Sequence, residues 1–118
     1  MNSYGILRFV AKPELQETKS GVKFANFSLA YNERRKDKDG NNVDTAHFFE
    51  FEIWDRGAEV LCDMFDKGDP IFIAQSTPRQ HTWVDKESGQ KRSKVVFRVD
   101  RFNPLPRTRA AEPANEGN

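Results

Sequence analysis

Two strand-forming segments that flank one turn sequence place the strongest constraint on the fold. Residues 20–33 (SGVKFANFSLAYNE) alternate polar and apolar side chains from Phe27 onward, as a half-buried strand does. Residues 46–54 (AHFFEFEIW) are equally rich in strand-forming residue types. Between them, residues 34–45 are polar and contain Asp-Gly-Asn, a sequence typical of hairpin turns. The two segments therefore predict a long antiparallel hairpin.

The second of these segments carries aromatic side chains on both of its faces. Alternation places Phe49, Phe51 and Ile53 on one face, and Phe48, Glu50, Glu52 and Trp54 on the other. We expect the first face to join the core, and the two carboxylates indicate that the second is exposed. Exposed rings are typical of platforms for nucleobases, at about 1–3 kcal/mol per stacked base. The alternative is that Phe48 packs under a loop and Trp54 caps the end of the fold.

The remaining segments predict three more strands and a helix. The strands are residues 3–11, residues 71–76 continued by 79–84 after a kink or bulge at Pro78, and residues 92–102, with Val95, Phe97 and Val99 on one face. Residues 55–70 contain a helical stripe of Val60, Leu61, Met64 and Phe65, followed by the stop signals Gly68 and Pro70. This order is that of an OB-fold, a five-stranded Greek-key barrel with one short helix between strands three and four. A general α+β sheet is the alternative.

Length and composition indicate one domain. The 118 residues suffice for a single core, which we place in residues 1–102, and residues 103–118 are predicted to be a disordered tail. Cys62 is the only cysteine, which excludes an intrachain disulfide and fits a reducing compartment. No signal peptide and no apolar run near the ~18 residues of a membrane span are present. We therefore expect a soluble cytoplasmic protein with no membrane partner.

Residues that carry out catalysis are not evident in the sequence. His47 and His81 have no Ser or Cys near them in sequence and form no His-x-x-x-His pair. A Gly-rich phosphate loop is also absent. The sequence therefore predicts a protein that is not an enzyme, with no metal and no cofactor.

Basic residues are concentrated in two regions, although the net charge of +1 does not by itself indicate a polyanionic partner. The first region surrounds Trp83 at a predicted hairpin tip and contains Arg79, Lys91, Arg92 and Lys94. The second is the polar loop with Arg34, Arg35 and Lys38. Rings that stack on bases, interleaved with cations that hold phosphates, are what a groove for single-stranded nucleic acid requires. The alternative in both regions is an ordinary solvated surface.

Four stretches, in order along the chain, resemble the bacterial-type single-stranded DNA-binding protein (SSB) family. They are LRFVAKPELQET, GVKFANFSLAYNE, IWDRGAEVLCDMFDKGDPIFI and TWVDKESGQKR. The resemblance covers most of residues 1–102 and implies an OB-fold that forms a homotetramer, with a dimer as the second expectation. It also implies binding of single-stranded DNA with little sequence preference during replication, recombination and repair, in the cytoplasm at the nucleoid.

The resemblance also implies roles for individual residues. Stacking aromatics of the family fall on Phe48, Trp54 and Trp83. Basic contacts of the family fall on Lys38, Arg56, Lys67 and Arg79. A further tryptophan of the family falls on Arg35, which removes one ring but supplies a cation that can stack on a base or bind phosphate.

The tail departs from the family pattern. Family members usually end in an acidic tip that recruits repair and replication enzymes, whereas this chain ends AAEPANEGN. Either the chain does not recruit partners in that way, or it is a phage, plasmid or accessory form. Two alternatives to DNA binding remain: an OB-fold module that binds other proteins, such as a primosome accessory, and an RNA-binding OB domain.

Overall fold

The computed structural model describes residues 7–106, which form six strands and one helix. They are β1 (Leu7–Phe9), β2 (Gln16–Glu17), β3 (Lys23–Lys36), β4 (Asn42–Trp54), α1 (Asp55–Met64), β5 (Pro70–Val84) and β6 (Lys91–Pro104). The predicted order of strands and helix is confirmed, and the short strand β2 is an addition to it. Residues 3–6 of the predicted first strand and residues 107–118 of the predicted tail lie outside the described residues. The start of that tail was placed too early, because residues 103 and 104 belong to β6.

Five of the strands close into a barrel. β1 pairs with both β3 and β5, β3 with β4, and β5 with β6, all antiparallel. The ring is completed by a short parallel pairing of β4 with β6, in which Phe51 lies opposite Phe97 and Glu52 opposite Arg98. β2 lies outside the ring, on the edge of β3. With α1 between the third and fourth strands of the barrel, this topology confirms the predicted OB-fold.

The β3–β4 hairpin is longer than predicted because its turn is short. The two strands pair without interruption from Phe24 opposite Trp54 to Lys36 opposite Asn42. The turn is closed by the backbone N–H of Asp37, which donates to Asn41 over 2.9 Å. Gly40 within it has φ of 83°, a left-handed conformation that glycine adopts without a Cβ clash. The Asp-Gly-Asn signal was therefore right, and the predicted loop was too wide.

The core fills the barrel beneath α1. Its buried members are Leu7, Phe9, Ala25, Phe27, Leu29, Phe51, Ile53, Ala58, Leu61, Phe65, Ile71 and Val99. Aromatic rings meet at its centre, where the ring of Phe9 lies 5.3 Å from that of Phe27 and 4.9 Å from that of Phe65. The predicted inward positions of β3, Phe27 and Leu29, are buried here. Tyr31 packs against the core from its margin.

Two residues predicted to lie on a core face are exposed. Phe49 is 40% exposed and Val95 is 55% exposed. Both have the alternation phase of core residues, but each lies one pleat repeat before Phe51 or Phe97, where the pairing of β4 with β6 begins. Alternation predicts which way a side chain points, and it does not predict where along a strand the core ends.

The irregularity in β5 does not lie at Pro78. Pro78 pairs in register with Phe97, and the register instead shifts on either side of Gln75. An irregularity of this kind bends a strand and increases its twist, as a barrel of long strands requires. The predicted kink or bulge is therefore present, but closer to the start of the strand.

Candidate nucleic-acid interface

An open groove of about 450 Å³ lies across β3, β4, β5 and β6. Its lining consists of Phe24, Asn26, Glu50, Glu52, Trp54, His81, Trp83, Lys94 and Val96. Within each strand these residues occupy alternate positions, so they share one face of the sheet. The groove therefore combines two tryptophans, two carboxylates, a lysine and a histidine on a single surface.

Two of the three predicted stacking residues line the groove, and the third lies outside it on β4. Trp54 is half-buried and stacks on Phe24, directly opposite in β3, with ring centroids 5.1 Å apart and an interplanar angle of 26°. Trp83 lines the same groove and is 45% exposed. Phe48 is 64% exposed on the same face of β4, roughly 20 Å along the strand from Trp54 at about 3.3 Å per residue. One groove thus contains both tryptophans, and Phe48 offers a further ring along its line.

The two carboxylates of this face are paired with cations. The Nζ of Lys94 donates a 3.0 Å hydrogen bond to Oε1 of Glu50. Oε1 of Glu52 lies 3.0 Å from Nε2 of His81, and Oε2 of Glu52 lies 3.9 Å from Nη1 of Arg79. Neighbouring basic side chains therefore offset the negative charge that alternation placed between the rings.

The prediction that Glu52 is exposed was wrong, because only 3% of its surface is accessible. Its position explains the difference. Glu52 lies opposite Asn26 in β3 and opposite Arg98 in β6, at the one place where β4 is paired on both sides. A carboxylate that alternates with aromatics is normally solvated, but this one is covered by the pairing of β4 with β6 and by His81 and Arg79 of β5.

The three basic candidates of the β3–β4 hairpin lie on opposite faces of the strand and in the turn at its tip. Arg34 shares the face of Phe48, and its Nε donates to Oδ1 of Asp44 over 2.9 Å. That hydrogen bond holds the pKa of Asp44 below its ordinary value. Arg35 has the opposite alternation phase and lies on the other face of the hairpin, with Glu33. Lys38 lies in the turn at the tip.

The other basic candidates lie on the β5–β6 hairpin and around α1. Arg79 and Lys94 flank the carboxylates of the groove. Arg92 lies opposite Trp83 and Lys91 opposite Val84. Arg56 is exposed in the first turn of α1, next to the end of β4.

Lys67 lies far from the groove tryptophan of β5. It is exposed in the turn that precedes β5, whereas Trp83 lies near the end of that strand. β5 has 15 residues, a length of up to roughly 50 Å at about 3.3 Å per residue. The basic candidates therefore extend over much of one molecule rather than around one pocket.

Phe24 and Asn26, which line the groove from β3, were not among the predicted site residues. The signal for them was in the turn. Once the turn is placed at residues 37–41, antiparallel pairing puts Phe24 opposite Trp54 and Asn26 opposite Glu52. The wide loop that we predicted left this register undefined.

Residues 7–106 form neither a metal site nor a membrane-spanning helix. In that part of the chain, no group of three or more His, Cys, Asp or Glu side chains is placed to hold a metal ion. The helical residues there are too few and too polar to form a membrane span. Burial raises the pKa of the Cys62 thiol above its ordinary value, which disfavours the reactive thiolate.

Comparison with known proteins identifies similar chains. A model of the single-strand binding protein family matches residues 4–105. Single-stranded DNA-binding protein 1 of Synechocystis sp. is 38% identical over 93 residues, which are 79% of this chain and 73% of that protein. The single-stranded DNA-binding protein of Borreliella burgdorferi is 36% identical over 93 residues, 79% of this chain and 61% of that one.

Solved structures show the same fold. A deletion mutant of the single-stranded DNA binding protein from Thermus aquaticus superposes with a TM-score of 0.71 at 25% identity. The match covers 86% of this chain and 48% of that one, so the present chain spans about half of the Thermus protein. A small single-stranded DNA-binding protein from Streptomyces coelicolor, at 20% identity, has a TM-score of 0.63 over 89% of this chain and 96% of that chain.

Proposed function

Because the chain belongs to the single-strand binding protein family, we propose that it binds single-stranded DNA and protects it during replication, recombination and repair. Binding is by base stacking and phosphate contacts, which carry little sequence preference. The proposed binding unit is residues 1–102, acting in the cytoplasm at the nucleoid.

The observation that carries the proposal is the groove with Trp54 and Trp83 on one surface. A half-buried ring backed by Phe24 and a second ring that is 45% exposed present flat apolar faces to solvent. Folded proteins usually bury such rings, and exposed ones at the wall of a groove mark a binding surface. Bases stack on them. The side chains of Arg79, Arg92 and Lys94 are each paired with a carboxylate but remain about half exposed, so they can donate to phosphates beside the rings.

Further residues extend the proposed path of the DNA. Phe48 continues the line of rings along β4, with Arg34 on the same face. The remaining proposed contacts to phosphate are Arg35, Lys38, Arg56, Lys67 and Lys91. Because Arg35 and Lys67 lie away from the groove, their contribution requires DNA that wraps over the protein.

The alternative of a protein-interaction module loses one of its two supports. That alternative drew on the replacement of a family tryptophan by Arg35 and on Glu50 and Glu52, whose charges repel a polyanion. The ion pairs of Glu50 with Lys94 and of Glu52 with Arg79 offset this repulsion.

A homotetramer is the proposed assembly, with a dimer as the second expectation. Exposed apolar side chains support an assembly, because Phe49, Val84 and Val95 are 40–58% exposed. Phe49 and Val95 share the alternation phase of core residues and so lie on the face opposite the groove. A subunit interface there leaves the groove open to DNA, and light scattering on the eluting protein measures the assembly directly.

Quenching of tryptophan fluorescence by a deoxythymidine oligomer tests the proposed function. We expect quenching at low salt that weakens as salt rises, because counterions are released on binding. Trp54→Ala and Trp83→Ala are each expected to weaken binding by roughly 5-fold to 150-fold, the equivalent of about 1–3 kcal/mol per stacked base. Since each variant keeps one tryptophan, its own fluorescence reports binding.

The control for these variants is Phe72→Ala, which removes an exposed ring of the β5 strand that does not line the groove. Its affinity is expected to equal that of the unaltered protein. Absence of quenching at low salt, or an unchanged affinity in the Trp54→Ala/Trp83→Ala double variant measured by anisotropy of labelled DNA, contradicts the proposal.

A further inference from the structure

His81 has one ring nitrogen that is bound within the protein and one that is available to a ligand. Nε2 lies 3.0 Å from Oε1 of Glu52, whose side chain is only 4% exposed. Nδ1 has no hydrogen-bond partner among the described residues. Among the described residues that are at least partly buried, the only side-chain nitrogen or oxygen that is both buried and unpartnered is Oε2 of Glu52. His81 is one of these residues, so its unpartnered Nδ1 is accessible to solvent.

The accessible nitrogen belongs to a residue that lines the groove. The side chain of His81 is 41% exposed, and His81 precedes Trp83 by one pleat repeat in β5. Lys94 lies directly opposite His81 in β6, on the same face of the sheet. Single-stranded DNA that fills this groove therefore contacts His81, which was not among the predicted site residues.

Charged side chains share this face with His81 on each neighbouring strand. They are Glu50 and Glu52 of β4, Arg79 of β5, and Arg92, Lys94, Arg98 and Asp100 of β6. The groove residues of β3, Phe24 and Asn26, are uncharged. Among these residue types, only histidine ordinarily changes its charge between about pH 5 and pH 8.

The contact with Glu52 determines which atoms the histidine ring can offer to a ligand. A carboxylate accepts hydrogen bonds and does not donate them, so Nε2 carries the hydrogen of this contact. In the neutral ring, Nδ1 then has a lone pair and no hydrogen. A phosphate oxygen of DNA also accepts only, so it finds no donor at the neutral ring. Protonation places a hydrogen on Nδ1 while Nε2 still donates to Glu52, and the ring then offers a donor and a positive charge.

We propose that His81 is a phosphate contact of the groove that operates only when its ring is protonated, with Nε2 donating to Glu52 and Nδ1 donating to a phosphate oxygen of the bound DNA. The inference rests on the proposed function and adds to it a contact residue and a dependence on pH. Arg and Lys side chains keep their charge throughout the range in which histidine titrates, so their contacts do not supply this dependence. Because the complex holds a proton that the neutral ring lacks, affinity rises as the pH falls.

The test measures the anisotropy of a labelled deoxythymidine oligomer titrated with the full chain at about pH 8.5 and at about pH 5.5. The oligomer has a pH-insensitive dye and no terminal phosphate, so the DNA itself does not titrate in this range. We expect about 10-fold tighter binding at the lower pH, the lower end of what a hydrogen bond with a charged group contributes. The slope of log affinity against log salt is expected to be steeper there by about 0.7, the change for one further phosphate contact on a single strand.

Two variants of His81 separate its charge from its contact with Glu52. His81→Gln keeps an amide donor near the position of Nε2 and does not titrate, so its affinities at the two pH values are expected to be nearly equal. His81→Arg places a permanent cation at the same position. It is expected to bind at both pH values about as tightly as the unaltered protein binds at the lower one.

His47→Gln is the control, because His47 is the other histidine of the chain and has a matching environment. Its Nε2 lies 2.9 Å from Oε1 of Glu33, and its side chain is 43% exposed. Alternation places it on the face of β4 opposite the groove. The variant is expected to retain both the roughly 10-fold gain at the lower pH and the steeper salt dependence.

Each outcome decides between the two proposals. Equal affinities of the unaltered protein at the two pH values overturn the inference and leave the proposed function intact. A gain that survives His81→Gln, that His47→Gln removes, or that comes without a steeper salt dependence also overturns it. Absence of binding at both pH values in low salt overturns the proposed function and the inference with it. If His81→Gln fails to fold, His81→Arg, His47→Gln and the salt dependence of the unaltered protein still decide.

Discussion

Trp54 derives its orientation from a ring on the neighbouring strand. The Phe24 ring lies 5.1 Å away in a stacked arrangement, and register places the two residues directly opposite. Phe24 therefore covers one face of the Trp54 ring, and a base can stack only on the opposite face. Preorganised in this way, the ring loses little conformational entropy when a base arrives.

At the residue scale, Phe24→Leu is expected to reduce both stability and DNA binding. Loss of the aromatic pair lowers the free energy of unfolding by about 0.5–1.5 kcal/mol, and Trp54 is then less restrained. Urea denaturation and oligomer titration measure the two effects. Phe48→Leu is the control for stability, because Phe48 is 64% exposed and its replacement is expected to change the unfolding free energy by less than about 0.5 kcal/mol. An equal loss in both variants contradicts the role given to Phe24.

Alternation in the sequence predicted the faces of these residues better than their environments. Phe48 and Trp54 were correctly placed on one face, and both are accessible to solvent. Glu52 shares that face but is buried, because its neighbours His81, Arg79 and Arg98 come from strands distant in sequence. Local spacing contains no information on such partners, which only the closed barrel brings together.

The β5–β6 hairpin contributes cations to a face on which β4 contributes carboxylates. Lys94 of β6 donates to Glu50 of β4 over 3.0 Å, and both side chains remain about half exposed. Such a pair adds little to stability, typically less than about 1 kcal/mol. The pair matters for the electrostatic potential along the groove, because the Glu50 carboxylate repels phosphates when Lys94 does not offset its charge.

At the element scale, Lys94→Gln is expected to weaken DNA binding about 5-fold, on the order of 1 kcal/mol for an exposed charge pair. The variant removes a cation and also leaves the Glu50 carboxylate uncompensated. The Lys94→Gln/Glu50→Gln double variant is therefore expected to recover most of the affinity, as titration with a thymidine oligomer at fixed salt would show. A double variant that binds as weakly as the single one contradicts this pairing.

The sequence located the boundary between two strands where the turn contains a characteristic turn residue. Gly40 marked the β3–β4 turn, although the flanking polar residues concealed how far both strands continue. The exposure of Phe49 and Val95 escaped prediction for a related reason, since both residues precede the short pairing of β4 with β6, whose extent local spacing does not reveal.

Over the whole molecule, carboxylates with lowered pKa values are spread across separate elements. A hydrogen bond from His47 lowers the pKa of Glu33, one from Arg34 lowers that of Asp44, and one from Thr77 lowers that of Asp100. A hydrogen bond from the backbone of Glu87 lowers the pKa of Asp85. All four groups prefer the ionised form more strongly in the folded state than in the unfolded state.

Stability is therefore expected to fall on acidification. A carboxylate with a lowered folded pKa contributes stability above its unfolded pKa, near 4, and that contribution is lost as the pH falls through the folded pKa. Urea denaturation between pH 7 and pH 3 is expected to show a nearly constant free energy of unfolding down to about pH 5 and a decrease below about pH 4. Asp100→Asn, which removes one such group, is expected to make the decrease shallower. An unchanged slope in this variant contradicts the assignment.

The parallel pairing of β4 with β6 is only two residue pairs long, yet the groove lies across it. Trp54 belongs to one hairpin and Trp83 to the other, so neither hairpin alone possesses the groove. DNA that contacts both tryptophans holds the hairpins together, and its binding free energy is added to that of the closed barrel. Binding and closure are thus thermodynamically linked. A ligand that spans this junction resists its opening, and a substitution that opens the junction in the free protein lowers the affinity in proportion to the fraction that remains closed.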